Sequence, residues 1–268
     1  MSAKPANDNI EPYVTRQRDG AAISLSLNRG AHFNPLSLAM ISALQATFDE
    51  IAEDSSIQVI VLRGEGRGFC AGHDLEEIRR FKGDAARVTE LFDSCNRLML
   101  TITQLPQPVI ARVHGIATAA GCQLVSMCDL AVADESAKFA LPGINIGVFC
   151  STPAVGVARN IGRKRSMEML LTGDVIDAAT ALQWGLVNRV VAAENLDNEI
   201  RRFTDRILAR SGAVIALGKK AFYEQLDSKL GPAYAIAARA MARNLHLEDA
   251  GEGIDAFFAK RPPSWRNL

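Results

Sequence analysis

Short apolar runs flanked by glycines constrain the fold of this chain more than any other feature of its sequence. Residues 59–62 form one run, which is followed by Gly64, Gly66 and Gly68, and Val109–Val113 forms another. Continuous apolar runs of this length are typical of strands that are buried on both faces of a sheet. Because residues 37–50, which lie between the runs, have the apolar spacing of an amphipathic helix, we predict an α/β fold.

Helical patterns dominate the chain from Arg165 to its last residues. The predicted secondary structure therefore changes from mixed strands and helices to mainly helices along the chain. We predict a flexible tail at residues 1–12, an α/β core at residues 13–200 and a helical region at residues 201–268. The sequence has neither a low-complexity linker nor an internal repeat between these parts. This indicates one continuous unit rather than independently folding domains.

The charge balance excludes some classes of partner. The 30 basic side chains match the 30 acidic ones, whereas proteins that bind nucleic acid or anionic membranes usually carry a positive excess. Apolar runs also stay shorter than the roughly 18 residues that a membrane span needs. We therefore expect neither a nucleic acid nor a membrane as a partner.

The cysteines and the N-terminal residues indicate the cellular compartment of the protein. The five cysteines are an odd number without CxxC spacing, so we predict neither a disulfide framework nor a metal site. Residues 1–12 lack the apolar segment of a secretory signal and contain acidic residues. On this basis we predict a cytoplasmic location.

Two predicted strand-to-helix junctions carry small residues where a helix begins. These junctions are residues 69–74 (FCAGHD) and residues 119–123 (AAGCQ). The first turn of a helix has unpaired N–H groups and a positive dipole end, so two such turns that converge can stabilise an oxygen that becomes negative. Asp74 is also placed to cap its helix. The simpler interpretation of each junction alone is a tight turn that needs small residues.

Together and in this order, the two junctions resemble the oxyanion segments of the enoyl-CoA hydratase/isomerase (crotonase) family. Further landmarks follow the family's order over nearly the whole chain: residues 27–29, 34–37, 128–130, 171–173 and 253–261. The resemblance implies a crotonase-like spiral of ββα turns with a C-terminal helical trimerisation region. It also implies a homotrimer or a dimer of trimers.

The resemblance further implies how substrate is held. Ala71 and Ala120 would supply the two oxyanion N–H groups, and CoA would enter as part of an acyl-CoA thioester, without a separate cofactor. The positions that match the family's CoA contacts are Asn34, Leu36, Ala71, Gly72, His73, Asp74 and Lys260, the last beside Arg261. Cations at a helix end are also favoured without any ligand, which is the alternative interpretation of Lys260 and Arg261.

The chain departs from the family at the two positions where a hydratase has catalytic glutamates. Gln123 and Gly143 occupy these positions. A glutamine amide does not exchange a proton near neutral pH, and glycine has no side chain to do so. We therefore predict that efficient hydration is absent.

Three other side chains are candidates for the missing proton carrier. His73 follows the first oxyanion segment and has a pKa suited to proton transfer, although it could also be a solvent-facing residue at a helix start. Cys150 and Ser151 lie where some relatives have a catalytic aspartate. A thiolate at Cys150 could act as nucleophile or base, but a small apolar thiol in the pocket wall is the simpler interpretation.

These observations predict an enzyme of fatty acid metabolism, in the lyase or isomerase class, that acts on an acyl- or enoyl-CoA thioester through an oxyanion hole. Two alternatives remain open. The chain could be a non-catalytic acyl-CoA binder or regulatory subunit that keeps the pocket without the glutamates. It could also be a thioesterase or decarboxylase of the same fold, because those reactions need the same oxyanion grip.

Overall fold

A computed structural model describes residues 11–267 of the chain, so most of the predicted tail at residues 1–12 lies outside the described residues. Strands within this range are β1 (Val14–Asp19), β2 (Ala22–Leu27), β3 (Val59–Gly64), β4 (Val109–Val113), β5 (Ile116–Thr118), β6 (Leu130–Asp134), β7 (Lys138–Ala140), β8 (Val175–Asp177) and β9 (Arg189–Val191). The two glycine-flanked apolar runs therefore form strands β3 and β4, as predicted.

Helices follow most of the strands. They are α1 (Leu38–Ala52), α2 (Leu75–Arg80), α3 (Ala85–Gln104), α4 (Ala120–Met127), α5 (Ser151–Ile161), α6 (Arg163–Thr172), α7 (Ala178–Trp184), α8 (Leu196–Leu208), α9 (Gly212–Leu226), α10 (Leu230–Asn244) and α11 (Glu248–Phe258). Short 3-10 turns lie at Gly30–His32, Pro142–Ile146 and Ala193–Asn195. Because strands and helices alternate up to α8 and only helices follow, the α/β prediction is confirmed.

Two sheets organise the first part of the chain. The larger sheet has the order β1-β2-β3-β4-β6-β9, and its neighbours are parallel except for the antiparallel β1–β2 pair. The smaller sheet has the order β5-β7-β8. An isolated bridge between Cys70 and Ala117 brings the chain after β3 alongside β5. This bridge places the first predicted junction next to the start of the second.

Strand β3 shows why the larger sheet needs helices on both faces. Ile60 and Leu62 point into the main core, whereas Val59 and Val61 pack in a second cluster that includes Leu196 of α8. Successive side chains of a strand point to opposite faces, so a continuous apolar run is buried only when both faces are covered. The run is fully or nearly fully buried, as its composition predicts.

A buried polar cluster connects helix α9 to the core. The Lys219 ammonium donates to the Asp129 carboxylate at 2.7 Å and to the carbonyls of Ile102 and Gln107 at 2.9 and 3.0 Å. The Asp129 carboxylate also accepts from the Tyr223 hydroxyl at 2.9 Å and from the Val109 N–H at 2.7 Å. We call Lys219, Asp129 and Tyr223 the Lys219 cluster. Because its charges are paired and hydrogen-bonded, the cluster fixes α9 at the start of β4.

The outer surface of the C-terminal helices is unusually apolar. Neither α9 nor α10 contains a fully buried residue. Large apolar side chains on α10 and α11 are mostly exposed: Leu230, Tyr234, Met241, Phe257 and Phe258. A group of large exposed apolar side chains is typical of an interface when the side chains form one patch. Among the described residues, no helix combines the length and apolar character that a membrane span requires.

Candidate functional site

The two predicted junctions meet at Gly72. This residue has a φ of +97°, and a Cβ added to it would lie 2.9 Å from Ala119 Cβ, 3.0 Å from the Thr118 oxygen and 3.2 Å from the Ala120 nitrogen. Side chains rarely adopt this φ, and these contacts leave no space for one. Glycine is therefore required for the close approach of the two backbone segments. We call Gly72, His73, Ala119 and Ala120 the Gly72 junction.

The second segment reaches the junction through an unusual backbone conformation. Ala119 has φ 49° and ψ −119°, and its N–H donates to the Ala140 carbonyl at 2.9 Å. A non-glycine residue in a sparsely populated region costs about 1–3 kcal/mol, and such strain is concentrated at ligand sites. Helix α4 begins directly afterwards, so Ala120 lies in its first turn. Within residues 11–267, the Ala120 N–H has no hydrogen-bond acceptor.

The first segment departs from the predicted arrangement. The Ala71 N–H donates to the Phe33 carbonyl at 2.9 Å, so the prediction that Ala71 supplies an open donor is contradicted. The left-handed conformations of Phe33 and Asn34 turn that carbonyl toward Ala71. Two positions further on, the His73 N–H has no acceptor among the described residues. The candidate donor pair is therefore His73 and Ala120.

Residues 33–36 brace the first segment. The Leu36 N–H donates to the Gly72 carbonyl at 2.8 Å. The Asn34 amide group donates to the carbonyls of Glu65, Gly68 and Phe69, while its oxygen accepts from the Arg29 N–H. Both Asn34 and Leu36 have 0% exposure, so neither side chain can contact CoA in this structure, contrary to the prediction. Their role here is to hold the junction in place.

The His73 imidazole is mostly buried and does not point into solvent. Its Nδ1 bonds to the Leu36 carbonyl at 3.1 Å, and its ring packs edge-to-face on Phe92 with centroids 5.2 Å apart. Its Nε2 is buried and has no partner among residues 11–267. Burial lowers the pKa of His73, because removal from water disfavours the imidazolium form. The ring is thus suited to accept a proton or hydrogen bond when neutral.

The two positions at which a hydratase has catalytic glutamates differ in the space available for a side chain. Gln123 is 3% exposed, and its Oε1 is buried without a partner in the described part of the chain. At Gly143, a Cβ would lie 2.4 Å from the Val148 carbonyl oxygen and 2.8 Å from Cys150 Sγ. The Cys150 thiol therefore occupies space that a side chain at position 143 would need.

The other two proton-carrier candidates receive little support from their surroundings. Burial raises the pKa of Cys150, and the nearby Gly143 backbone offsets this only in part. The protonated thiol is a poor nucleophile, so this environment argues against catalysis by Cys150. The Ser151 hydroxyl donates to the Phe149 carbonyl at 3.4 Å and is exposed. Neither side chain resembles an activated nucleophile.

The charged residues predicted to contact CoA have different surroundings. The Asp74 carboxylate caps helix α2 by accepting from the N–H groups of Glu76 and Glu77, as predicted. Arg261 forms a two-pronged ion pair with Glu252 at 2.6 and 2.8 Å. Lys260 is exposed just after α11 and remains a candidate for a phosphate contact. Residues 11–267 contain no group of three or more metal-ligating side chains.

Sequence comparison identifies one family. Residues 17–267 match the family described as enoyl-CoA hydratase/isomerase. The chain is 45% identical over 266 residues to the enoyl-CoA hydratase domain-containing protein 3, mitochondrial, of Rattus norvegicus, which covers 98% of this chain and 88% of the relative. Five such proteins, 43–45% identical, are named mitochondrial, so the predicted cytoplasmic location is wrong.

Structural comparison gives the same result. An enoyl-CoA hydratase from Mycobacterium smegmatis has a TM-score of 0.93 and 50% identity, with 95% of this chain and 99% of that chain covered. The human enoyl-CoA hydratase domain-containing protein 3 has a TM-score of 0.91 and 42% identity, with coverages of 94% and 100%. The predicted crotonase-like fold is therefore confirmed.

Proposed function

The chain belongs to the enoyl-CoA hydratase/isomerase family, and from that premise we propose that it binds an acyl-CoA thioester whose carbonyl accepts from the N–H groups of His73 and Ala120. One observation carries this proposal: Gly72 brings its bare Cα against Ala119 and Ala120. The two N–H groups without acceptors in residues 11–267 belong to His73, directly after Gly72, and to Ala120, whose nitrogen lies 3.2 Å from where a Gly72 Cβ would be. CoA is part of the substrate, and no separate cofactor is needed.

The proposed chemistry is stabilisation of an enolate-like thioester intermediate. A single oxyanion donor typically contributes about 2.7–4 kcal/mol to a transition state, so two donors are enough to favour reaction at the α-carbon. General acid–base catalysis adds roughly 10²–10⁴-fold, and Gln123 and Gly143 do not supply it. We therefore propose an enzyme of the lyase or isomerase class that is a poor hydratase. His73 is the remaining candidate for moving a proton.

A specific observation favours a second candidate, a non-catalytic acyl-CoA binder. The Cys150 thiol and the Val148 carbonyl close the space beside Gly143, while Gln123 keeps the size of a glutamate without its charge. This arrangement keeps the two N–H groups that would bind the carbonyl, but it lacks both glutamates that move protons in a hydratase. A thioesterase or decarboxylase is the third candidate, and only the shared oxyanion requirement supports it.

Calorimetry with two matched ligands tests whether the two N–H groups bind the thioester carbonyl. Butyryl-CoA contains the thioester carbonyl, whereas its thioether analogue, S-butyl-CoA, has a CH₂ group in the same place. We expect butyryl-CoA to bind roughly 10- to 100-fold more tightly, because two net hydrogen bonds contribute about 1 kcal/mol each. Equal affinities would refute the proposed role of the two N–H groups.

Turnover assays separate the candidate functions. We expect loss of crotonyl-CoA to be roughly 10²–10⁴-fold slower than for a hydratase with two glutamates. A comparable rate would show that Gln123 and Gly143 do not limit hydration. Release of free CoA thiol from butyryl-CoA would favour the thioesterase. Tight binding without any product would favour the binder.

We also propose that the chain assembles as a homotrimer or a dimer of trimers, with residues 201–268 as the helical region that makes the contacts. The exposed apolar side chains of α10 and α11 support this assembly. Light scattering coupled to gel filtration measures it directly. A monomer at micromolar concentration would contradict the proposal.

A further inference from the structure

Ala119 is held in its unusual backbone conformation from three sides. Its N–H donates to the Ala140 carbonyl at 2.9 Å, and its own carbonyl accepts from the Gln123 N–H at 3.0 Å. Its methyl carbon lies 2.9 Å from the place that a Cβ of Gly72 would take. These contacts join Ala119 to strand β7, to helix α4 and to the first segment of the junction. The surrounding chain therefore fixes the position of Ala119.

The side chain of Ala119 is the cause of its backbone strain. Its φ of 49° and ψ of −119° lie outside the left-handed region, in which ψ is about +30 to +60°. Phe33, by contrast, has φ 59° and ψ 35° and lies within that region. Glycine adopts positive φ without a steric penalty, because it has no Cβ. The methyl group therefore makes the conformation of Ala119 unfavourable, and its contacts indicate what it contributes to the site.

Hydrogen bonds from Thr118 draw the two segments together just before this point. The Thr118 N–H donates to the Cys70 carbonyl and its hydroxyl donates to the Ala71 carbonyl, both at 3.0 Å. One residue further along, the Ala119 methyl is the only side-chain atom among the three atoms nearest to the side-chain position of Gly72. Non-bonded carbon atoms pack at about 3.5–4.0 Å. The methyl group therefore limits how closely Gly72 can approach helix α4.

We propose that Ala119 is a positioning residue whose methyl group acts as a spacer between the two segments. The spacer sets the separation of the His73 and Ala120 N–H groups, and Ala119 itself does not contact the substrate. The inference rests on the proposed function, because it concerns the two N–H groups assigned there to the thioester carbonyl. It adds a residue that acts only through the position of Ala120.

Ala119→Gly tests the spacer through two quantities that should change in opposite senses. The midpoint of urea denaturation should rise, because glycine removes the strain at this φ and ψ. The roughly 10- to 100-fold preference for butyryl-CoA over S-butyl-CoA should fall to about threefold or less, because hydrogen bonds weaken steeply when donors are misaligned. A residue that only packs in the core would lower the midpoint instead.

Two further variants identify the methyl group as the cause. Ala133→Gly is the matched control, because Ala133 is fully buried in β6, distant in sequence from the junction, and does not have a positive φ. It should lower the midpoint and keep the ligand preference. Ala119→Ser retains the Cβ of Ala119, so it should restore both the preference and the lower midpoint of the wild-type protein.

The outcomes separate this inference from the proposed function. If wild-type protein binds butyryl-CoA no better than S-butyl-CoA, the proposed function fails, and the spacer fails with it because no donor pair remains to be positioned. If the wild type discriminates and Ala119→Gly discriminates equally well, only the spacer is overturned. A fall of the midpoint in Ala119→Gly as large as that in Ala133→Gly would also overturn it, because the methyl group would then serve packing alone.

Discussion

The two ends of helix α4 contain opposite arrangements of polar groups. Before its N-terminus lies the Gly72 junction, where the N–H groups of His73 and Ala120 have no acceptors in residues 11–267. After its C-terminus lies Asp129, whose carboxylate accepts from Lys219, Tyr223 and the Val109 N–H. One end is open, and the other is fully hydrogen-bonded.

This difference separates a binding role from a structural role. Buried polar groups that have all their partners stabilise one arrangement of the chain. Buried polar groups without partners are unfavourable in the free protein and become favourable when a ligand supplies them. We therefore assign the Lys219 cluster to folding, whereas the Gly72 junction is the proposed site of ligand binding. Substitutions at the two ends should change different measured quantities.

The largest effect is expected on stability, from Lys219→Met. The substitution leaves the Asp129 carboxylate buried without its ammonium partner and leaves the carbonyls of Ile102 and Gln107 without their donor. Loss of one partner from a buried ion pair typically costs about 3–5 kcal/mol. Urea denaturation should show this decrease in the free energy of unfolding.

Lys220→Met is the matched control for that measurement. Lys220 is the next residue of α9 and is exposed, so its substitution should change stability by no more than about 0.5 kcal/mol. Equal effects of the two substitutions would contradict the structural role of the Lys219 cluster. In the folded Lys219→Met protein, the preference for butyryl-CoA over S-butyl-CoA should remain.

The next effect is expected on binding, from Gly72→Ala. A methyl group would meet Ala119 and the Ala120 nitrogen at 2.9 and 3.2 Å, so the two backbone segments must separate. The roughly 10- to 100-fold preference for butyryl-CoA over S-butyl-CoA should then disappear, because two aligned donors are needed for it. Calorimetry on both ligands measures this change.

Gly83→Ala distinguishes lost alignment from backbone strain. Gly83 also has a positive φ, of +89°, but a Cβ there has no neighbour within 4 Å. Both alanines should therefore introduce similar strain, and only Gly72→Ala should abolish the ligand preference. If Gly83→Ala removes the preference as well, the Gly72 contact is not its cause.

The smallest effect is expected in the pH dependence of stability. The pKa of His73 is lowered in the folded protein by burial, so the unfolded chain binds a proton more readily. Stability should therefore decrease as the pH falls below about 6.5, the ordinary histidine pKa, toward the lower folded value. His73→Phe should remove this component from urea titrations at a series of pH values. An unchanged pH profile would show that His73 is not buried in its neutral form.

Much of the fold could be predicted because its signals are local. The runs that form β3 and β4 are recognisable within five or six residues, and helix α8 has the amphipathic spacing of residues 196–208. Strand β1 was missed because its sequence, VTRQRD, is mostly polar. An edge strand with one solvated face can carry such residues.

The site could be predicted only to the level of its segments. Whether the Ala71 or the His73 N–H is open depends on the left-handed turn at Phe33 and Asn34, which directs a carbonyl to Ala71. The Lys219 cluster likewise joins residues 90 positions apart. Such long-range pairings follow from tertiary packing, and a local pattern does not contain them.

The crowding around Gly143 has a consequence for protein engineering. Installing glutamate at position 143 alone would force its Cβ against the Val148 carbonyl oxygen, and replacing Cys150 would relieve only the contact with sulfur. Backbone atoms cannot be removed by substitution, so the loop itself must be rebuilt. Single-residue steps toward a two-carboxylate hydratase would thus pass through destabilised intermediates, which makes redesign of residues 143–150 as one segment the shorter route.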